Sequence, residues 1–149
     1  MTLNQILEQI KTIALAHEQV NSYGFGVIGD FLDQEITYPA CFLELPSDTL
    51  SGQLGGGAER RQTFSMYFFD RCVMGGDNTQ EVLSDMQLVA LDIFYQLRYQ
   101  KFDFNVLPDA NIEYFIEREA DYTAGVRLNF TVKYPLKINR CAVPSTYNY

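Results

Sequence analysis

The 149-residue sequence contains no tryptophan, a single histidine (His17) and three cysteines, Cys41, Cys72 and Cys141. One imidazole leaves little for the acid–base, nucleophilic and metal-binding chemistry that histidine most often serves. No two Cys or His residues lie within five positions of each other, so the closely spaced pairs of a structural zinc site are missing. Three widely separated cysteines in a chain large enough to fold without staples also argue against a disulfide framework and for a reducing compartment. Cations are scarce as well. Eleven Lys and Arg stand against 19 Asp and Glu, for a net charge of -8, which disfavours a protein that grips nucleic acid by neutralising phosphates. No segment approaches the roughly 20 consecutive apolar residues of a membrane-spanning helix. The start, Met1 to Ile6, has none of the basic, apolar and small-residue regions of a secretory signal. The expectation is a protein folded in the cytoplasm, with no catalytic residue, no cofactor, no metal and no membrane partner.

What is present is material for one core. Hydrophobic residues make up 47% and charged residues 20%, as in ordinary globular chains, and the length suits a single domain over 1–149. Leu3, Ile6, Leu7, Ile10, Ile13 and Ala14 recur at helical spacing, and Thr2 with Gln5 forms a capping-box pattern, which predicts a helix running to about Val20. Tyr23 to Asp30 alternates glycines with large side chains and reads as a packed loop. Tyr38 to Leu45, bounded by Pro39 and Pro46, reads as an edge strand. Ser47 to Glu59 has Gly52, Gly55, Gly56 and Gly57 and only Leu50 and Leu54 as large apolar residues, so a mobile loop over 47–59 is expected. Thr63 to Phe69 alternates as a strand. Asn78 with Glu81 opens a second helix whose stripe is Val82, Met86, Val89, Ala90, Ile93 and Leu97. Ile112 to Glu117 and Val126 to Tyr134 alternate as two further strands, and residues 139–149 form an extended C-terminal tail. Together these predict an α+β fold: a mostly antiparallel four-stranded sheet with two helices packed on it.

Candidate sites follow from charge and aromatics rather than from a reactive constellation. His17 sits at the end of the first helical stripe and reads as a boundary or core histidine. Cys41 and Cys72 read as small buried hydrophobes, a cysteine enzyme acting through Cys72 being the weaker alternative. The triplet Gly55-Gly56-Gly57 leads into a strand without the lysine and hydroxyl of a phosphate cradle. Charge is lopsided. Residues 118–149 hold Arg118, Arg127, Lys133, Lys137 and Arg140 against Glu119 and Asp121, a balance of +3 that leaves -11 on the first 117 residues. Identical subunits arranged head to tail would set unlike charges against each other around a closed ring. Interface candidates are Arg60, Arg61, Arg127 and Lys133, with Leu54 in the loop and Tyr147 and Tyr149 in the tail.

The order of elements, with Val20-Asn21-Ser22-Tyr23-Gly24-Phe25-Gly26 after the first helix and Tyr38-Pro39 opening the first strand, resembles the tail-terminator and tail-completion proteins of tailed bacteriophages. More narrowly it is similar to the neck ring proteins of crAss-like phages. The resemblance implies a virion structural subunit, made in the host cytoplasm, that forms a homo-oligomeric ring of six- or twelvefold symmetry at the head–tail junction. Its partners would be other neck, portal and tail proteins, with DNA only as passing cargo. The competing reading is a small-molecule or peptide-binding α+β domain, monomeric or dimeric, with an aromatic pocket at Tyr23, Phe25 and Tyr67.

Overall fold

The computed structural model describes residues 2–53, 56–73, 78–100, 102, 104–117 and 122–135. Leu54, Cys141, Tyr147 and Tyr149, and the whole of 139–149, lie outside the described residues. The first helix, α1 (Leu3–Ala16), begins on the capping box: Gln5 N–H donates to Thr2 Oγ1 at 3.2 Å and Thr2 N–H donates to Gln5 Oε1 at 2.8 Å. It stops at Ala16, short of the expected Val20. His17 takes extended backbone angles, with its ring held by Asp92 at 3.1 Å and by the Gln19 N–H at 3.2 Å.

The expected packed loop instead forms β1 (Ser22–Gly26) and a short helix, α2 (Ile28–Leu32). Next come β2 (Ala40–Glu44) and β3 (Ser47–Gln53), which lie end to end along one side of β4 (Gly56–Arg71). The segment expected as a loop over 47–59 is therefore the distal half of a long hairpin, with Ser47 opposite Thr63 and Ser51 opposite Glu59. Cross-strand pairing supplies the backbone partners that its glycine-rich composition does not announce.

After the long helix α3 (Thr79–Tyr99), the chain adds β5 (Asn105–Val106), β6 (Asn111–Glu117) and β7 (Thr123–Pro135). Asn78 caps α3 without a side-chain bond to it, because its Oδ1 accepts from the Val73 N–H at 2.6 Å.

The sheet is mixed and seven-stranded, in the order β1-β2-β4-β7-β5, with β3 also on β4 and β6 also on β7. This corrects the expected four-stranded sheet with two helices: the described residues form three helices, and β1 runs parallel to β2 while the other pairings are antiparallel. The four expected strands are present as β2, β4, β6 and β7. The additional ones are short, or rich in glycine and polar residues, and lack a period-2 apolar signature.

One face of the sheet carries Phe64, Met66 and Phe68 of β4 with Val126, Leu128, Phe130 and Val132 of β7, all buried under α1 and α3. The stripes anticipated on α1 and α3 supply the opposing layer, with Ile6, Ile10, Met86, Ile93 and Leu97. On the other face α2 covers one end, where Phe31 packs on Phe42 and Phe69. Two glycines allow close approach. A Cβ on Gly24 would lie 2.4 Å from the Phe31 ring, and one on Gly125 would lie 2.0 Å from the Phe68 carbonyl oxygen.

The Gly125 contact involves backbone that cannot give way without disturbing the central ladder. Gly125→Ala is expected to lower the unfolding free energy by about 2–3 kcal/mol. Gly29→Ala, in α2 with open space around it, is expected to be neutral or to stabilise by up to about 1 kcal/mol. Urea denaturation of the two variants checks both.

Candidate functional site

Strand alternation sends odd-numbered residues of β4 and β7 to the face away from α1 and α3. Among the described residues no element covers this face beyond the α2 cluster, and its side chains bond to one another across four strands. Tyr67 donates to Glu44 Oε1 at 2.9 Å; Arg127 reaches Glu44 Oε2 at 3.4 Å, Ser65 Oγ at 3.2 Å and Glu113 at 3.9 Å. Ser65 donates to Asn129 Oδ1 at 2.6 Å, and the Asn129 amide donates to Asn111 Oδ1 at 2.6 Å. The Arg127 guanidinium also lies 5.6 Å from the centroid of the Tyr67 ring. Burial, and then the bond to Glu44, raise the Tyr67 hydroxyl above its ordinary pKa.

Further along, Arg61 and Lys133 stand directly opposite each other in the register, where two cations would repel. Glu59 lies between them, at 2.9 Å from Arg61 and 3.3 Å from Lys133. Hydrogen bonding from Arg61 foremost, and then from Lys133, holds the Glu59 carboxyl below the usual glutamate range. Arg60, one residue away, points to the helix side. There it pairs with Asp48, whose Oδ2 accepts from Arg60 Nε at 2.9 Å and whose Oδ1 accepts from the fully buried Gln62 at 3.0 Å.

Of the expected interface residues, then, Arg61, Arg127 and Lys133 share the open face and Arg60 does not. Each of the four is paired with a carboxylate of its own chain. They are not free charges awaiting a neighbour. Glu44, Glu59, Ser65 and Glu113 were not singled out in the sequence because nothing local says which strands meet. The alternation of Arg127, Asn129, Thr131 and Lys133 was the available signal for a polar face.

The proposed aromatic pocket is not assembled. Tyr23 packs into the core under the helices, Tyr67 lies on the opposite face, and Phe25 is 44% exposed. Cys41 is fully buried, and burial pushes its thiol up, away from thiolate reactivity. His17 is a boundary residue. Because its Nδ1 accepts from Gln19, the ring proton sits on Nε2, facing Asp92.

Between α1 and α3 runs a groove of about 590 Å³ whose floor is Ile13, Ala16, Ile93 and Phe102 and whose rim includes Glu8 and Asp92. Among the described residues, no group of three or more His, Cys, Asp or Glu is placed to hold a metal ion, and no helix is long and apolar enough to cross a membrane. No protein-family model and no curated protein matches the chain.

The Glu59 contacts have a measurable consequence. A folded-state pKa below the unfolded value of about 4.3 means that the stability Glu59 contributes is present above that value and is lost as pH falls through the folded one. A carboxyl NMR titration is expected to place Glu59 below the ordinary glutamate value. Arg61→Met is expected to raise it more than Lys133→Met does.

Proposed function

We propose that this chain is a structural subunit of a tailed-bacteriophage virion that assembles into a ring at the head–tail neck, joining portal or connector to tail around a DNA channel. The observation that carries the reading is the pair of open sheet edges. Among the described residues no strand pairs with the outer side of β1 at one end or of β6 at the other. Both edges expose large apolar side chains: Phe25 on β1, 44% exposed, and Tyr114 and Ile116 on β6, 55% and 44% exposed.

An unpaired strand edge with apolar residues is a liability in a monomer and a template for pairing with another chain. Here the two edges differ in sequence. Contact between one copy's β6 and the next copy's β1 is heterologous, and heterologous contacts build a ring when the repeated rotation closes and an open filament when it does not.

The open face suits a channel that DNA passes rather than grips. The charged side chains that the strands place there are Glu44, Glu59, Glu113 and Glu117 against Arg61, Arg71, Arg127 and Lys133, which balance. A face with no net charge releases few counterions from DNA and holds it weakly. The internal pairing of Arg127 and Lys133 also shifts the subunit contact from exposed ion pairs, worth about 0–1 kcal/mol each, to the edges.

Negative-stain images of the purified protein are expected to show rings, with a sedimentation coefficient far above that of a monomer. Tyr114→Lys with Ile116→Lys, which charges the β6 edge, is expected to abolish the rings and leave a monomer that melts within a few degrees of the parent. A wild-type protein that is monomeric at every concentration, or a doubly charged edge that still closes rings, overturns the reading.

A further inference from the structure

The groove between α1 and α3 plays no part in the edge contact, and its chemistry is specific. Its floor is apolar, formed by Ile13, Ala16, Ile93 and Phe102. Its rim is acidic, with Glu8 and Asp92, and the Gln9 side-chain oxygen that lines it is buried without a hydrogen-bond partner among the described residues. An occupant that satisfied all three features would carry apolar side chains, positive charge and hydrogen-bond donors in one short stretch.

The chain itself contains such a stretch. Residues 136–149, beyond the end of β7, read Leu-Lys-Ile-Asn-Arg-Cys-Ala-Val-Pro-Ser-Thr-Tyr-Asn-Tyr, with two cations, no anion, and apolar residues beside each cation. We infer that the groove is the seat of residues 136–149 of a neighbouring copy. This rests on the ring reading above and specifies how adjacent subunits are strapped together.

The topology favours the neighbour. Near its end β7 has β5 on one side, with Asn105 opposite Lys133, and β4 on the other, with Glu59 opposite Pro135, so the described chain ends one strand in from the β5–β6 edge. That edge faces the next copy's β1. α1 packs on β1 while α3 packs on β4 and β7, so α1 is the groove wall on the β1 side, the side that the ring reading sets against a neighbour. Fourteen residues extended span up to about 46 Å, enough to cross one helix of about 10–12 Å diameter and still lie along the groove. The charge sign agrees with the lopsidedness of the chain: a positive segment on a body that is strongly negative.

Cys141 lies within the segment and provides the test in the full-length chain. In a Cys72→Ser background, with Cys41 buried, a second cysteine is placed in the groove lining as Ala16→Cys or, as a control, at Lys11→Cys, which is also exposed on α1 but does not line the groove. After mild oxidation with copper–phenanthroline, the Ala16→Cys protein is expected to give a ladder of disulfide-linked oligomers on a non-reducing gel. Lys11→Cys is expected to give severalfold less, and Glu8→Lys added to Ala16→Cys is expected to reduce the ladder. Rings on the grid with no ladder, with equal ladders from both positions, or with cross-linking only inside single chains overturn the inference and leave the ring reading standing. Absence of rings removes the ring reading itself.

Discussion

The antiparallel ladder between β4 and β7 is the constraint on which the rest of the structure depends. It runs through thirteen paired residues, from Glu59 opposite Pro135 to Arg71 opposite Thr123. Every other strand except β1 hydrogen-bonds to one of these two, and α3 packs across both. A pairing of that length fixes register completely, because a slip by one residue would turn Phe64, Met66 and Phe68 to solvent and bury Arg127 and Lys133. Gly125 is where the ladder is tightest: the absence of a side chain there lets β7 pass the Phe68 carbonyl.

From that register the two faces acquire different duties. The helix face is mainly apolar, interrupted by Arg60 and Gln62 on Asp48, and the loss of water from its apolar part is the main stabilising term. The open face is polar but not loose. Its guanidinium, carboxylate, amide and hydroxyl groups hydrogen-bond in sequence across β2, β4, β7 and β6, so the side chains are held in place before any partner arrives. Such a surface offers defined shape and little net charge. A surface with balanced charge holds phosphate weakly.

The edges and the groove are complementary features of the same architecture. Both lie at the periphery of the ladder: among the described residues no strand pairs with the outer side of β1 or β6, and the groove between α1 and α3 holds apolar surface and the Gln9 oxygen, which has no partner there. The β5–β6 line continues the β7 side of the sheet, so the strand that ends the described chain also sits next to the edge offered to a neighbour. Assembly through edges and strapping through a segment would thus use one side of the subunit as donor and the other as acceptor.

The sequence by itself determined the long amphipathic elements. The α1 cap and stripe, the α3 stripe, and the alternation of β4, β6 and β7 are all local patterns of period 3.6 or 2, and each side chain's face follows from its spacing alone. The sequence also marked β7 as a strand with one polar side. Tertiary structure alone decided what pairs with what. Ser47 to Gln53 became a strand because β4 lay alongside it, Ser22 to Gly26 became one because β2 did, and α1 ends at Ala16, where His17 takes extended backbone angles and its ring meets Asp92 of a distant helix. The same holds for charge. Arg127 and Lys133 looked available in the sequence and are paired in the fold, because Glu44 and Glu59 reach them only through cross-strand register. Periodicity is a property of neighbours along the chain, whereas partnership depends on contacts between residues far apart in it, and those exist only once the sheet has closed.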